Sequence, residues 1–490
     1  MTSTLDRPPV TRQPVLPETV WLAYALPAAL ALAFSLAFSW RPSLWRDETA
    51  SVSASTRSWG QLWHMLANVD AVHGSYYALL HPVASVSIAN WWLRLPSALA
   101  VAGTAALIVA LGRQLADLRT GFAAAVLWAF LPVSSRYGQE VRSTALGVCI
   151  TAAATVVLIG AMRRNRVRWW VAYALLMALG GYVFLFSLLA VAGHLVVVVV
   201  SRRDARRAVV RFVVAVAAAA VIVSPLVAVS RGQLAGQLSW ATTPPRLSDL
   251  PTLSWSLWFA NRQLGLLVWV MVGVAVIAAT RARPGPRVQL LTVGLGIGLL
   301  PALALLLASE VRPAFAARYV ASGAVFLCLL AGYGLTRARG RWMIVVSLVA
   351  AVGVAGLALP HWHSDRTRAG HGEDVSAIAD VLRNRRAIGD GVVWQPTLLR
   401  TDATAYPAAF TGLVDLGLDS SPNASGTLTG TEVSLPTFTG QLDRVDRVWV
   451  IHLIGRRGAP SAERVALVER GFRVQQSWGA GQTGLDLMTR

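Results

Sequence analysis

The chain contains no lysine and few charged residues of any kind. Its 490 residues include 24 acidic side chains and 44 basic ones, all of them arginine, so only 14% of the chain is charged. Soluble proteins carry roughly 25% charged residues. Because 55% of the residues are hydrophobic and the mean hydropathy is +0.54, the composition excludes an ordinary soluble globular protein and predicts a membrane protein.

Cysteine is also scarce. Cys149 and Cys328 are the two cysteines, and both lie inside apolar blocks. Such a pair predicts neither a disulfide framework nor thiolate chemistry. The first apolar block is too long for a signal-peptide core and lacks a small-residue cleavage site, so we expect it to be retained as a helix.

Apolar blocks of helix-spanning length follow one another along most of the chain. A helix of about 20 residues crosses the hydrocarbon layer, and the blocks predict a polytopic bundle of about 11 to 13 transmembrane helices. The blocks are 20–39, 76–89, 95–111, 120–131, 145–162, 169–200, 209–230, 264–279, 288–308, 315–335 and 343–359. The long block 169–200 can hold two short helices that meet near Gly180 and Gly181.

The net charge of +20 would suggest a nucleic-acid partner in a soluble protein. Here the arginines cluster in short breaks between apolar blocks, which indicates membrane topology and contact with anionic lipids. We therefore expect membrane lipids, and no nucleic acid, among the partners.

The same arginines predict orientation. The positive-inside rule places the breaks after residues 162, 201, 280 and 336 in the cytoplasm and the C-terminal region outside. This conflicts with a cytoplasmic N-terminus and an outer first loop unless one block does not cross the membrane. Blocks 169–200 and 76–89 are the candidates.

The predicted fold class is mostly α, a transmembrane helical bundle followed by a small α/β domain. Residues 1–19 are expected to form a disordered cytoplasmic N-terminus, and residues 20–360 the transmembrane domain. Its two large loops are predicted at about 41–75 and 231–263, the second with an aromatic-rich interfacial helix. Residues 361–490 are predicted to form the soluble domain, with helices at 374–386 and 462–470 and buried strands at 391–394 and 447–454.

A pair of carboxylates, Asp47 and Glu48, follows the first apolar block directly after Arg46. A carboxylate at the end of a membrane helix can have its pKa raised by desolvation and lowered by arginine, and such a group can act as a base on a hydroxyl. The alternative is a hydrated loop that carries ordinary charges.

A second polar cluster opens the next block with Asp70, His73, Tyr76 and Tyr77, followed by His81. These side chains could form a sugar pocket, and His73 and His81 could ligate a cation. Alternatively, the tyrosines are interfacial anchors and the histidines cap a helix.

Further charges interrupt the apolar pattern at three places. Their arginines suit phosphate, although pairing of Glu140 with Arg136 or with Arg142 inside the bundle would also explain the charges of the middle segment. The charged and polar residues in these segments are Arg94, Arg136, Tyr137, Gln139, Glu140, Arg142, Arg318 and Tyr319. His361 and His363 flank Trp362 and are interpreted as a juxtamembrane anchor.

In order, these segments resemble the GT-C superfamily of membrane glycosyltransferases, specifically the protein O-mannosyltransferase-like and aminoarabinose-transferase-like branch (glycosyltransferase family 39 type). The match consists of the Asp-Glu pair, the Asp–His–Tyr-Tyr segment, Arg-x-Pro-Ser, Ser-Arg-Tyr-x-Gln-Glu-x-Arg and a late Arg-Tyr, over residues 20–359. The chain departs from the pattern at Gly74-Ser75, where many relatives have Pro-Pro, and at Thr144, where they have Tyr.

The resemblance implies inverting transfer of mannose or a related pentose or hexose from a polyprenyl-phosphate donor. The acceptor would be a hydroxyl of a glycolipid, glycan or protein at the outer face of the plasma membrane. Asp47 would be the general base or the carboxylate that orients the acceptor, supported by Glu48. Arg46, Arg136, Arg142 or Arg318 would hold the lipid phosphate, and Asp70, His73, Tyr76 and Tyr77 would shape the sugar pocket. The remaining candidate substrate-binding residues are His81, Arg94, Tyr137, Gln139, Glu140 and Tyr319.

Two other classes of function stay open. One is a transporter or flippase of a lipid-linked sugar, and the other is a catalytically inactive assembly subunit of cell-envelope glycan synthesis. The sequence shows no internal repeat of the kind common in transporters, which favours the enzyme. No residue set forms a convincing metal shell, so no cofactor site is predicted, and dependence on a divalent cation such as Mg²⁺ or Mn²⁺ stays open.

Overall fold

The computed structural model describes residues 17–200, 205–237, 244–281, 286–337, 341–455 and 461–490. The predicted disordered N-terminus lies largely outside these residues. The described chain is mostly helical and carries a small sheet near its C-terminus, which confirms the predicted fold class.

Long apolar helices form the bundle, and short helices connect them. The long helices are Pro17–Leu36, Leu95–Leu115, Leu118–Phe130, Thr144–Arg164, Val167–Val183, Ala190–Val200, Ala205–Gln237, Arg262–Thr280, Gly298–Val311, Gly323–Leu335 and Arg341–Asp365. The short ones are Arg46–Ser55, Trp59–Asn68, Ala71–His73, Gly74–Val86, Asn90–Leu93, Pro132–Gly138, Leu185–Leu189, Leu247–Asp249, Leu250–Ser256, Pro286–Leu291, Thr292–Ile297 and Ala317–Val320.

Fewer helices than predicted are long enough to cross a membrane by themselves. Among the described residues, five helices are sufficiently long and apolar, or six if a pair bent by 67° at Leu131–Pro132 is one span. Proline lacks the N–H that would continue the first helix, which explains the bend. Four shorter apolar helices accompany them: Val20–Leu36, Val167–Val183, Leu185–Val200 and Gly323–Leu335. The block 169–200 is thus divided as predicted, although the break is at Phe184.

The block 76–89 is not a membrane span. It corresponds to the helix Gly74–Val86, whose 13 residues extend only about 20 Å at 1.5 Å per residue. Tyr76 and Tyr77 are buried and do not anchor an interface. The helix packs against Arg46–Ser55 at one end of the bundle. Without this block, and with block 169–200 as two helices, the positions predicted for the arginine-rich breaks are consistent with a cytoplasmic N-terminus and an outer first loop.

The arginine-rich breaks gather at the opposite end of the bundle. Arg337 forms an ion pair with Asp117 at 2.8 Å. Arg211 donates to the carbonyl oxygen of Asn165 at 2.6 Å, and Arg163 donates to a carbonyl oxygen at the end of helix Leu95–Leu115. Three breaks that are distant in sequence therefore lie at the same end, as the positive-inside rule requires.

The predicted aromatic interfacial helix in the loop 231–263 is only partly correct. Leu250–Ser256 is a short helix, but Trp258 and Phe259 after it are buried. The Trp258 indole donates to the carbonyl oxygen of Val320 at 2.9 Å, so its polar edge is satisfied inside the bundle and not at a lipid surface. Trp240, also expected in this loop, lies outside the described residues.

The C-terminal region forms a five-stranded mixed sheet in the order β2-β1-β5-β7-β6, with a separate hairpin β3-β4. The strands are β1 Gly391–Gln395, β2 Val414–Asp415, β3 Leu418–Ser420, β4 Thr431–Glu432, β5 Arg447–Leu453, β6 Arg473–Ala480 and β7 Thr483–Thr489. The accompanying helices are Val375–Arg385, Thr397–Thr401, Asp402–Ala405, Pro407–Phe410, Pro422–Ser425, Leu435–Leu442 and Ala462–Glu469. The two predicted strands, β1 and β5, are parallel central neighbours, and both predicted helices are present.

The arrangement of the two ends predicts that Arg166 and Ile388, both exposed, lie on opposite sides of the membrane. In a variant without Cys149 and Cys328, single cysteines at these positions should react with a membrane-impermeant maleimide from opposite sides. Labelling in intact and in permeabilised cells measures this. Reaction of both positions from the same side would contradict the described bundle.

Candidate active site

A completely buried ion pair fixes the loop after the first helix. Glu48 lies in the first turn of helix Arg46–Ser55, and its carboxylate accepts from Arg94 Nη2 at 2.8 Å and from Arg94 Nε at 3.0 Å. The side chains of both residues are 0% exposed. The backbone N–H of Val141 donates to the same carboxylate at 2.8 Å. One carboxylate therefore joins three segments that are distant in sequence.

Arg94 and Ser97 join the same segments. The Arg94 guanidinium donates to the carbonyl oxygens of Ser39 at 2.6 Å, Pro42 at 3.0 Å and Ser43 at 3.3 Å. The Ser97 hydroxyl is within hydrogen-bonding distance of two further carbonyl oxygens, at 2.7 Å and 3.2 Å, in the segment around Val141. The Arg-x-Pro-Ser motif thus organises the backbone of the loop, since buried carbonyl groups need donors.

Charge compensation keeps Glu48 ionised. Burial raises the pKa of Glu48, but the neighbouring Arg94 and His371 outweigh it and lower the pKa to about 2. Glu48 was predicted to support Asp47 in catalysis, and Arg94 was predicted to bind the substrate. Since neither side chain is exposed, the structure gives them no surface for direct contact with a substrate and places them beneath the site.

Asp47, next to Glu48, faces the opposite way and is 22% exposed. Its Oδ2 lies 3.4 Å from Arg318 Nη1 and 3.8 Å from Arg142 Nη2. Arg142 also donates to the Asp47 carbonyl oxygen at 3.2 Å. The first, fourth and fifth motifs thus meet at one accessible carboxylate between two arginines.

His73 completes this group from the second motif. Arg142 Nη2 lies 3.2 Å from His73 Nε2. Since a guanidinium has only donors, His73 Nε2 accepts and the ring is neutral. Burial and the positive charge of Arg142 lower the pKa of His73 to about 4, despite the opposing charges of Asp70 and Asp47.

Asp70 is held in a backbone conformation that few residues other than glycine adopt, with φ at +63°. The Tyr77 hydroxyl donates to its carboxylate. The next backbone N–H, that of Ala71, donates to Gln233 Oε1 at 2.8 Å, so the long helix Ala205–Gln237 supports this turn. Backbone strain held by surrounding contacts is common at functional sites.

A cavity of about 410 Å³, lined by both charged and apolar side chains, lies beside Arg318. Arg136 lines it and pairs with Glu140 at 3.5 Å and with Asp365 at 3.2 Å. The predicted pairing of Arg136 with Glu140 is therefore present, but Arg136 remains 41% exposed toward the cavity. The lining residues are Trp45, Pro132, Val133, Arg136, Tyr137, Glu140, Ser256, Leu257, Ala260, Ala316, Ala317, Arg318, His361 and Asp365.

The other predicted substrate-binding residues lie around this centre. Tyr76 is buried, and Gln139 is buried with its amide donating to the carbonyl oxygen of Ala37 at 3.1 Å. Tyr319 stacks on Phe186 with ring centroids 3.6 Å apart.

His81 and Arg46 face away from the cavity. His81 Nδ1 lies 2.9 Å from the carbonyl oxygen of Ser55, and the His81 ring packs against Trp59. Arg46 forms an ion pair with Glu373 of the C-terminal region at 2.6 Å. Arg46 therefore has a protein partner, as Arg136 and Arg318 also have, and its predicted contact with a lipid phosphate stays a prediction.

Sequence reasoning missed residues that follow the last apolar block. His361 was interpreted as part of an anchor, but it lines the cavity, and Trp362 is buried against Phe34 and Phe130. His371 lies within 3.6 Å of Glu48. The density of acidic residues and histidines in this segment was the available signal.

The described parts of the chain contain no group of three or more His, Cys, Asp or Glu side chains that could hold a metal ion. His73 is bound to Arg142 and His81 to a backbone carbonyl, so the two histidines do not form a pair of ligands.

The buried pair predicts a large effect of Glu48→Gln on stability. The substitution leaves the Arg94 charge buried without a counterion, which typically costs about 3–5 kcal/mol. We expect a much lower thermal unfolding midpoint of the purified protein. Asp117→Asn, which breaks a half-exposed ion pair, should cost about 0–1 kcal/mol. Equal midpoints for the two variants would contradict the role of the buried pair.

The lowered pKa of His73 predicts that the protein loses stability in acid. Its pKa of about 4 lies below the ordinary value of 6.5, so between these values the unfolded chain binds a proton that the folded chain does not. The unfolding midpoint should therefore fall as the pH is lowered from 6.5 to 4, and His73→Asn should weaken this dependence. His64→Asn, at an exposed position, is the control and should leave it unchanged. An unaltered pH dependence in His73→Asn would contradict the prediction.

One family model and several solved structures are similar to this chain. Residues 76–228 match the family model described as dolichyl-phosphate-mannose-protein mannosyltransferase. No curated protein matches the chain.

Several solved structures are similar in fold. ArnT from Cupriavidus metallidurans is 13% identical, with 96% of this chain and 98% of that one covered; the TM-score is 0.60 in its apo state and 0.61 with undecaprenyl phosphate bound. The Archaeoglobus fulgidus oligosaccharyltransferase in complex with Zn and sulfate is 10% identical, with 88% and 68% covered and a TM-score of 0.53. The arabinofuranosyltransferase AftD from Mycobacteria is 16% identical, with 97% and 40% covered and a TM-score of 0.53. The resemblance is thus confirmed: the family model matches residues 76–228, and the chain shares the fold of ArnT from Cupriavidus metallidurans.

Proposed function

We propose that the protein is an inverting membrane glycosyltransferase that uses a polyprenyl-phosphate sugar, with mannose or a related pentose or hexose as the donor sugar. The observation that carries this proposal is the accessible carboxylate of Asp47 between Arg142 and Arg318, beside the cavity lined by Arg136. An acid–base group and phosphate-binding groups are what such a transfer needs.

The arginines of the cavity suit the leaving group. When the bond between the anomeric carbon and the phosphate oxygen breaks, negative charge develops on the lipid phosphate. Arg318 and Arg136 carry permanent positive charge and can hold phosphate oxygens with paired N–H groups. Both line the cavity, and both now bind carboxylates. In the proposed complex the phosphate competes for these guanidinium groups.

Asp47 is the proposed general base. An acceptor hydroxyl attacks the anomeric carbon from the face opposite the phosphate, and its proton passes to the Asp47 carboxylate. One displacement inverts the anomeric configuration, so no second carboxylate is needed as a nucleophile. When the lipid phosphate draws Arg318 away, Asp47 loses a counterion and becomes a better proton acceptor. Donor binding thereby activates the base.

Asp70, His73 and Tyr77 are proposed to border the sugar and acceptor pocket. Their contacts to one another and to Arg142 fix polar groups on the side of Asp47. Neutral His73 offers its Nδ1–H as a donor to a sugar hydroxyl. The acceptor is proposed to be a glycolipid, a glycan or a protein.

We also propose an orientation in the plasma membrane. The arginine-rich end of the bundle is cytoplasmic by the positive-inside rule, which leaves the site and the C-terminal domain, residues 361–490, outside. The polyprenyl-linked donor would then react at the outer face.

The direct test is sugar transfer in membranes from a radiolabelled polyprenyl-phosphate-mannose. Asp47→Asn should reduce transfer by about 10²–10⁴-fold, because an amide cannot accept the proton. The control is Asp117→Asn, which removes an ion-paired carboxylate at the opposite end of the bundle and should transfer normally.

Normal transfer by folded Asp47→Asn at equal abundance would refute the base assignment. If the wild-type protein transfers no sugar from any lipid-linked donor but moves lipid-linked sugar across reconstituted vesicles, it is a transporter. If it does neither, the inactive assembly subunit is the better description.

A further inference from the structure

The C-terminal domain holds the loop that carries Asp47. Tyr406 accepts from the backbone N–H of Leu44 at 3.1 Å, and its hydroxyl also lies 3.1 Å from Ser43 Oγ. The hydroxyls of Thr49 and Thr401 are 2.8 Å apart. These contacts join residues more than 300 positions apart on both sides of Asp47. The loop is therefore shaped from the C-terminal side as well as by the buried ion pair beneath it.

Among these contacts from the C-terminal domain, the one made by Glu373 lies nearest to Asp47 in the sequence. Its Oε2 accepts from the backbone N–H of Arg46 at 2.9 Å, and its Oε1 lies 2.6 Å from Arg46 Nε. The Glu373 side chain is 1% exposed. One carboxylate thus binds both the backbone and the side chain of the residue that immediately precedes Asp47.

This contact adds an acceptor at the start of the helix, where the Glu48 carboxylate already accepts from the backbone N–H of Trp45 at 3.3 Å. Arg46 is the first residue of helix Arg46–Ser55, and the preceding residue, Trp45, has no side-chain oxygen. The first N–H groups of a helix have no partner within it, and a carboxylate there is favoured by the helix dipole. Glu373 supplies that carboxylate from a segment outside the helix bundle.

We propose that Glu373 is a positioning residue for Asp47, and that the C-terminal domain is thereby a structural part of the active site. By fixing the first turn of the helix, Glu373 directs the Asp47 side chain toward Arg142 and Arg318. A shift of that turn would move the carboxylate away from the reacting hydroxyl, to which transfer is sensitive. The inference rests on the proposed function for its kinetic consequence but not for its structural one.

Hydrogen–deuterium exchange on the full-length purified protein tests the structural claim. Glu373→Ala removes this acceptor, and we expect amide exchange in a peptide covering residues 45–50 to become about tenfold faster while the rest of the chain is unchanged. Glu373→Gln, which keeps an acceptor but loses the charge, should show a smaller increase and preserves a testable variant if the alanine form does not fold.

Asp486→Asn is the matched control. Asp486 is also a nearly buried carboxylate of the C-terminal domain, bound by Arg464 at 2.6 Å, but it lies on β7. The Asp486→Asn substitution should leave amide exchange in residues 45–50 unchanged. Unchanged exchange there in Glu373→Ala, or an equal increase in Asp486→Asn, would overturn the proposal.

Steady-state kinetics test the functional consequence. In Glu373→Gln, kcat should fall about tenfold while KM for the polyprenyl-phosphate donor stays within about twofold, because the phosphate-binding arginines are untouched. An equal kcat loss in Asp486→Asn, or a normal kcat in Glu373→Gln, would contradict positioning. A wild-type protein without transfer activity would refute the proposed function, and the exchange experiment would still decide the role of Glu373.

Discussion

The fully buried ion pair between Glu48 and Arg94 is the constraint on which the site depends. Two unpaired charges could not remain in that environment, so each holds the other in place, and the surrounding carbonyl and N–H groups complete their hydrogen bonds. The pair joins the end of the first helix, the start of Leu95–Leu115 and the turn at Val141. Of the two adjacent carboxylates, Glu48 is buried in the pair and Asp47 is 22% exposed.

The two adjacent carboxylates therefore have different roles that follow from their surroundings. Glu48 is surrounded by protein donors and serves as a fixed counterion. Asp47 lies between two partly exposed arginines, in contacts of 3.4 Å and 3.8 Å, and in the proposed mechanism one of them, Arg318, turns to the lipid phosphate. The C-terminal domain contributes to the same division, since Glu373 holds the helix turn and His371 lies against Glu48. The site at the end of the bundle is thus supported both by the buried ion pair and by the C-terminal domain.

Sequence patterns predicted the membrane bundle and the central strands β1 and β5, and the family resemblance implied that residues of the five motifs serve one site. They could not assign buried and accessible positions within a motif, because adjacent residues such as Asp47 and Glu48 have the same chemistry and differ only in the direction in which they point. Apolar composition alone also could not show that Gly74–Val86 packs beside the site without crossing the membrane. The roles of His371 and Glu373 depend on contacts across more than 300 residues, which no local pattern contains.

The central claim is that the cavity beside Asp47 receives a lipid phosphate. A cryo-electron microscopy structure of the protein with undecaprenyl phosphate tests it most directly. We expect the phosphate to lie against Arg318 and Arg136, with the Arg318–Asp47 contact lengthened and the Asp47 carboxylate facing the same cavity. A phosphate bound elsewhere on the bundle, with the contact between Asp47 and Arg318 intact, would contradict the account.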